Sequence, residues 1–233
     1  MMFPSAQSAS SIAERPPLIL MPVRTGLLRP GPRQLKRVVD MLLGAALLVA
    51  ALPLGLLIAL AIVLDSRGPV FFAQTRIGRR NRRFRLWKFR SMVDGADEML
   101  RNQLAADPDR AREWRLARKI KNDPRVTCAG RFLRRTSLDE LPQLWNVLRG
   151  DMSLIGPRPI VREEVRRYGA AFALYQQVSP GLTGLWQVSG RNDTSYRRRV
   201  ALDSRYIRTW TPILDLVILL KTVRVVLVGK GAY

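Results

Sequence analysis

Residues Met41 to Leu64 form an apolar run of 24 residues without a charged side chain, and Pro53 lies at its centre. At about 1.5 Å rise per residue, a helix over this run is roughly 36 Å long, enough to cross a hydrocarbon core of about 30 Å. Two features argue against a plain crossing. Proline at the midpoint removes a backbone donor and crowds the preceding turn, so a bend is expected there. Basic residues also crowd both ends: Arg33, Lys36 and Arg37 before the run, then Arg67, Arg76, Arg79, Arg80, Arg82 and Arg83 after it. Lys and Arg mark cytoplasmic flanks, so the charge favours the cytoplasmic side twice. Residues 33–66 therefore read as a re-entrant membrane helix that turns at Pro53 and leaves by the face it entered. Each half would be about 17 Å long and would reach mid-bilayer. A bitopic anchor with a tolerated kink is the alternative.

The 233 residues leave room for a short tail, this membrane element and one globular domain. Forty Lys and Arg against 18 Asp and Glu give a net charge of +22. Such an excess suits a polyanionic partner: nucleic acid, anionic lipid or phosphorylated substrate. The apolar run makes lipid and phosphate the better pair, and the arginine-rich stretch lacks the clustered aromatics that stack on bases. No nucleic acid is expected. The chain has no histidine, which excludes His-based proton transfer and His-ligated zinc. Cys128 is the single cysteine, so no disulfide forms within the chain, which suits a reducing cytosol. Catalysis is left to carboxylates, Lys, Arg, hydroxyls or an oxygen-ligated metal.

Residues 1–32 hold six prolines and one acidic residue and read as a disordered arm, not a signal peptide. Residues 67–233 read as a cytosolic, membrane-associated domain. Val70, Phe71, Phe72 and Ile77, then Phe84, Leu86, Trp87 and Phe89, predict two short strands around a basic turn at Gly78 to Arg83. Seven of the 12 residues from Arg79 to Arg90 are Lys or Arg, which suits a solvated or headgroup-facing hairpin. A charged helix over 93–119 and a turn at 122–125 are expected next. Helices near 139–148, 159–177, 194–209 and 212–228 follow, with a Gly- and Pro-punctuated segment from Ser179 to Arg191. The last helix is aliphatic but carries Asp215, Lys221 and Arg224, which fits either an interfacial helix or a core-packed one.

Without histidine, attention falls on acids set among arginines. Asp139 and Glu140 follow Arg131, Arg134 and Arg135. At a helix start two adjacent carboxylates can converge on one metal ion or phosphate. The plainer alternative is a capping box, Ser137-Leu138-Asp139-Glu140, with Glu140 merely holding the turn. Further on, Gly156-Pro157-Arg158-Pro159 restricts its backbone and presents the Arg158 fork with little entropy left to lose, which suits phosphate oxygens.

Taken together, five strings resemble the bacterial sugar transferase family, the monotopic polyprenyl-phosphate hexose-1-phosphate transferases. They are Lys88-Phe89-Arg90-Ser91-Met92, Asn122-Asp123-Pro124-Arg125, Ser137-Leu138-Asp139-Glu140-Leu141-Pro142-Gln143, Gly156-Pro157-Arg158-Pro159 and the glycine-rich run from Pro180 to Arg191. The resemblance covers about residues 33–233 and is greatest with the short exopolysaccharide-initiating galactose-1-phosphate transferases. It implies Mg²⁺-dependent transfer of sugar 1-phosphate from a UDP-sugar to undecaprenyl phosphate, with release of UMP, at the cytoplasmic face of a bacterial inner membrane. It also implies roles. Asp139 would be the nucleophile, and Glu140 would hold Mg²⁺ or assist proton transfer. Lys88, Arg134, Arg158 and Arg191 would lie near the phosphates, and Gln187 near the nucleotide. Asp215 matches a further acidic position, taken with Glu140 as a metal ligand. The implied fold is a small α/β-type catalytic domain, mostly helical, with a Pro-kinked re-entrant membrane helix and interfacial amphipathic helices. A homodimer is compatible with it.

Mg²⁺ and arginines would cancel the repulsion between a carboxylate and an anionic phosphorus centre. The same cations are expected to keep Asp139 ionised. Two departures from the family pattern stand out: Leu52 precedes the kink proline where a Ser is frequent, and no multi-span region precedes residue 33. Galactose is preferred over glucose on resemblance alone. A non-catalytic, membrane-anchored polyanion-binding protein and a phosphohydrolase using the same Asp139 are the competing readings.

Overall fold

A computed structural model describes residues 26–107, 109, 111, 112, 114, 123–190 and 194–228. Helix α1, Pro30–Asp65, opens with proline in its first turn, where the missing N–H costs nothing, and stays helical through Pro53. Pro53 does not interrupt the helix, so the bend expected there would lie within one continuous helical segment. One stripe of this helix is buried, Asp40, Gly44, Ile58 and Ile62, and Leu48 joins the main core between them. The remaining faces are apolar and exposed, as at Leu42, Val49, Leu56 and Leu64. Such a helix has enough length and hydropathy to cross a membrane.

Strands β1 (Phe71–Ile77) and β2 (Arg83–Phe89) pair antiparallel, with Phe72 opposite Lys88 and Arg76 opposite Phe84. The two strands and the basic turn fall where alternation and Gly78 place them. Arg80 and Asn81 take positive φ in that turn, and Gly78 N–H donates to the Arg82 carbonyl at 2.8 Å. Helix α2 (Ala96–Ala106) covers the first part of the helix expected over 93–119; the chain leaves the helix at Asp107, and residues 109, 111, 112 and 114 are helical again. Helix α3 (Cys128–Thr136) has no counterpart in the expectations, although Thr127 caps it by accepting from Gly130 N–H. Helix α4 (Gln143–Arg149) starts after Pro142, later than the expected 139.

Strand β3 (Ser153–Ile155) pairs in parallel with β4 (Gly181–Thr183). A Cβ on Gly156 would stand 2.7 Å from the Gly181 nitrogen and 2.8 Å from the Ser179 carbonyl oxygen, so only glycine allows this crossing. The helix expected over 159–177 is broken into α5 (Val165–Tyr168) and α6 (Phe172–Tyr175) with 3₁₀ turns. Gly169, at φ +52°, interrupts it. Helices α7 (Tyr196–Thr209) and α8 (Pro212–Val228) match their expected spans. In α8, Ile218 is buried while Ile213, Leu216, Leu220 and Val223 are exposed at spacings of three and four. Core packing and an unpartnered apolar stripe thus share one helix.

The core joins Phe84 and Leu86 of β2 to Leu144, Val147, Leu154, Tyr206 and Ile218. Leu27 lies in it too, with Gly26 beside the Trp210 ring. Within the arm expected over 1–32, Gly26–Leu28 form a 3₁₀ turn in apolar contact with the core, and Pro30 belongs to α1. Residues 1–25 lie outside the described residues.

Candidate active site

Between α3 and α4 the chain makes one 3₁₀ turn, Leu138–Glu140, entered through Ser137 at φ 59°. Ser137 makes no side-chain cap, so the capping box is not formed. The Glu140 carboxylate is used elsewhere. Lys88 Nζ, projecting from β2, lies 2.7 Å from Glu140 Oε1 and 3.2 Å from Asp139 Oδ2. One ammonium thus bridges both acids. Asp139 is only 7% exposed. Burial pushes its carboxyl up; Lys88 pulls it down, Glu140 pushes it further up, and Arg134 pulls it down. The net direction is upward: desolvation outweighs the pull of Lys88 and Arg134, which act on Asp139 in the direction the sequence led one to expect.

Arg134, in the last turn of α3, donates from Nε to Ser91 Oγ at 2.9 Å. Burial lowers its pKa, while Asp139 and Asp123 raise it. Gly130 brings α3 against the Ser91 backbone so closely that a Cβ would overlap it. The Asp123-Pro124-Arg125 turn serves a structural end. Arg125 is buried and forks onto Asp123, with Nε–Oδ1 at 2.8 Å and Nη2–Oδ2 at 2.6 Å.

Arg158 sits between buried Pro157 and Pro159, as the restricted turn requires, and its guanidinium lies 5.2 Å from the Trp186 ring centroid. Arg199 is 5.0 Å from both Trp186 and Tyr196, and Arg167 is 4.0 Å from Tyr196. Guanidinium and ring alternate from Arg158 outward, a chain of cation–π contacts. Arg76 is lowered to about 10 by burial first and Arg158 next, so these two cations are near each other. Beneath them Asp203 accepts from Tyr168 OH at 2.7 Å, and burial pushes it up to about 6.

The remaining expected residues lie elsewhere. Gln187 leans on β4, Nε2 donating to the Leu182 carbonyl at 3.5 Å, and its Oε1 is buried without a hydrogen-bond partner. Asp215 belongs to a separate network. It accepts from Lys36 Nζ at 2.7 Å, Tyr206 OH at 2.7 Å and Trp210 Nε1 at 2.9 Å. Both its oxygens are engaged in fastening α8 to α7 and α1. Arg191 lies outside the described residues. Sequence reasoning missed Ser91, Trp186 and Arg199 as partners of the expected arginines. It also missed Lys36 and Asp40, whose i,i+4 spacing before the apolar run was the available signal.

The bacterial sugar transferase family matches this chain over residues 32–229. The chain belongs to that family. Among its relatives, the exopolysaccharide production protein ExoY of Rhizobium meliloti is 44% identical over 227 residues, 97% of this chain and 100% of that protein. The undecaprenyl-phosphate galactose phosphotransferase of Salmonella typhimurium is 47% identical over 216 residues, 93% of this chain but 45% of its relative. The UDP-glucose:undecaprenyl-phosphate glucose-1-phosphate transferase of Escherichia coli is 41% identical, covering 86% of this chain and 42% of that protein. This sugar transferase thus spans the full length of one relative and less than half of two others. It is an enzyme, and its acids, lysine and arginines occupy the matched region.

Proposed function

We propose that this sugar transferase moves a hexose 1-phosphate from a UDP-sugar to undecaprenyl phosphate, with Asp139 as the relay. The observation that carries the reading is the pair of adjacent acids sharing Lys88 beside Arg134. A carboxylate oxygen of Asp139 attacks the sugar-bearing phosphorus, and the bond from that phosphorus to the bridging oxygen breaks. UMP leaves with that oxygen. An oxygen of undecaprenyl phosphate then attacks the same phosphorus, the acyl-phosphate bond breaks, and Asp139 returns as carboxylate. One pyrophosphate is exchanged for another, so no further energy source enters. Lys88, Arg134 and Arg158 are assigned to the phosphoryl oxygens, where fixed cations lower the barrier most.

Among the described residues no group of three or more acids, Cys or His forms a ready-made metal cage. Mg²⁺ is commonly held by one or two carboxylates plus substrate phosphates, and Glu140 with Asp139 fits that donor set. Bound there, Mg²⁺ would supply charge neutralisation. Galactose is the sugar favoured: the relatives named for galactose are 47% and 46% identical, against 42% and 41% for those named for glucose.

Contacts on both flanks of the apolar run support a re-entrant membrane helix. Before it, Arg37 donates to the Val147 and Leu148 carbonyls, and Asp40 accepts from Ser153 Oγ and Leu154 N–H. After it, buried Arg90 donates to the Ser66 and Arg67 carbonyls, and Asp65 accepts from Ala129 N–H. One domain grips both ends, which a bilayer crossing would separate. Cytosolic donor and lipid acceptor then meet at the headgroup plane, and the exposed stripe of α8 suits that plane too.

The test is transfer of label from UDP-galactose to undecaprenyl phosphate in detergent with Mg²⁺, beside a panel of other UDP-sugars. Lipid-linked label with stoichiometric UMP is expected, and Asp139→Asn should abolish it. Free galactose 1-phosphate as the product would make the protein a hydrolase instead.

A further inference from the structure

A cavity of about 560 Å³ opens on the β1–β2 ribbon. Its walls include Thr75, then Arg83, Arg85 and Trp87 at alternate positions of β2, then Arg149, the last residue of α4, and Asp151 just beyond it. Alternation puts these β2 side chains on the face opposite Lys88, so the cavity is not the dyad site. Three guanidinium groups meet one carboxylate. Asp151 is 3.6 Å from Arg149 Nε and also accepts from Asn146 Nδ2 at 3.3 Å. Arg83 and Arg85 make no ion pair among the described residues, and Arg85 lies 5.9 Å from the Trp87 ring. Two positive charges are left over.

The walls are fixed. Asn146, fully buried, accepts from Trp87 N–H at 3.0 Å and donates to the Arg85 carbonyl at 2.7 Å, clamping β2 to α4. The depth is fixed as well. Arg37 donates to the Val147 and Leu148 carbonyls at 2.6 and 2.9 Å, and Gly44 of α1 packs against Val147 and Leu148. The end of α4 therefore stands beside α1 where its charged approach gives way to the apolar run, the level of lipid headgroups.

We propose that this cavity binds the phosphodiester headgroup of an anionic membrane lipid, a site separate from the substrate phosphates. The inference rests on the proposed reading of α1 as a membrane element, not on turnover. Guanidinium forks match phosphate oxygens in pairs, and an indole at their side suits the water–lipid boundary. A lipid seated there would fix the orientation of the domain, together with α1, at the membrane surface.

The experiment is native mass spectrometry of the full chain in neutral detergent, titrated with short-chain phosphatidylglycerol, short-chain phosphatidylcholine and glycerol phosphate. Wild type should retain phosphatidylglycerol in preference to phosphatidylcholine, and glycerol phosphate only weakly. At about fivefold per arginine, Arg83→Ser with Arg149→Ser should weaken phosphatidylglycerol binding roughly 25-fold. The corresponding double change to Lys should keep most of it. Both variants should melt like wild type and keep transfer activity in neutral micelles. Equal retention by wild type and the Ser variant would overturn the site, as would equal binding of the two lipids. Glycerol phosphate binding as tightly as the lipid would make a soluble phosphate the occupant and overturn the lipid assignment. Retention is read without turnover, so a wild-type chain inactive with UDP-sugars would refute the transferase reading and leave this result standing.

Discussion

Replacing Lys88 by Met keeps an apolar stem of similar length and deletes the one charge that Asp139 and Glu140 share. At an effective dielectric near 20, a 3.2 Å ion pair is worth roughly 5 kcal/mol before screening. The Lys88 side chain is 23% exposed, so the net value is better set by a charge-assisted hydrogen bond, about 1.5–3 kcal/mol. If that interaction persists to the transition state, kcat falls about 10- to 150-fold. The pH dependence follows with its sign. Burial and Glu140 raise the Asp139 carboxyl and Lys88 lowers it, so without Lys88 ionisation requires a higher pH. The acid limb of kcat moves upward in the variant. An acid whose folded pKa lies above its unfolded value stabilises the fold at low pH, and loses that contribution as pH rises through the folded value. In K88M this loss shifts to higher pH. Initial rates of lipid-linked label formation from pH 5.5 to 9, with melting curves across the same range, check both effects. A variant with kcat within twofold of wild type and an unmoved acid limb refutes the bridging role of Lys88.

Asp215→Asn takes the nearer of two acids from buried Lys36, leaving Asp40 at 3.6 Å, and a loss of roughly 1.5–3 kcal/mol in stability is expected by thermal unfolding. The Mg²⁺ activation curve of the surviving enzyme should be unchanged; a curve displaced to higher Mg²⁺ would return Asp215 to the metal. For the helix, single cysteines placed at Gln34 and Arg67 in a Cys128→Ser background should react with an impermeant thiol reagent from the same side of sealed vesicles. Reaction from opposite sides would establish a crossing.

Much of this fold could be read from residues. The hairpin was legible because Phe84, Leu86 and the glycine at 78 announce alternation and a turn, and α8 because its aliphatic run is bounded by Pro212. Strands β3 and β4 were not, since three residues are too few for a period to show. Their pairing depends on Gly156 and Gly181 approaching across 25 residues of sequence. Helix α3 was hidden by its arginines, which drew attention to charge and away from the Thr127 cap. At the site, the adjacency of Asp139 and Glu140 was plain, but their common partner Lys88 arrives from a strand 51 positions earlier. The sign of the Asp139 shift could not be read at all, because burial depends on the assembled fold. Asp215 was legible as an acid, but its three donors, Lys36, Tyr206 and Trp210, converge on it only in the assembled fold.

The central claim is a covalent relay through one carboxylate, and the direct measurement is mass spectrometry of protein quenched after mixing with UDP-galactose and Mg²⁺ in the absence of the lipid acceptor. The account predicts a hexose-phosphate mass increment on the peptide containing Asp139, missing in Asp139→Asn and discharged when undecaprenyl phosphate is added. An enzyme that turns over normally, shows no increment at any quench time and forms UMP only when both substrates are bound would contradict it.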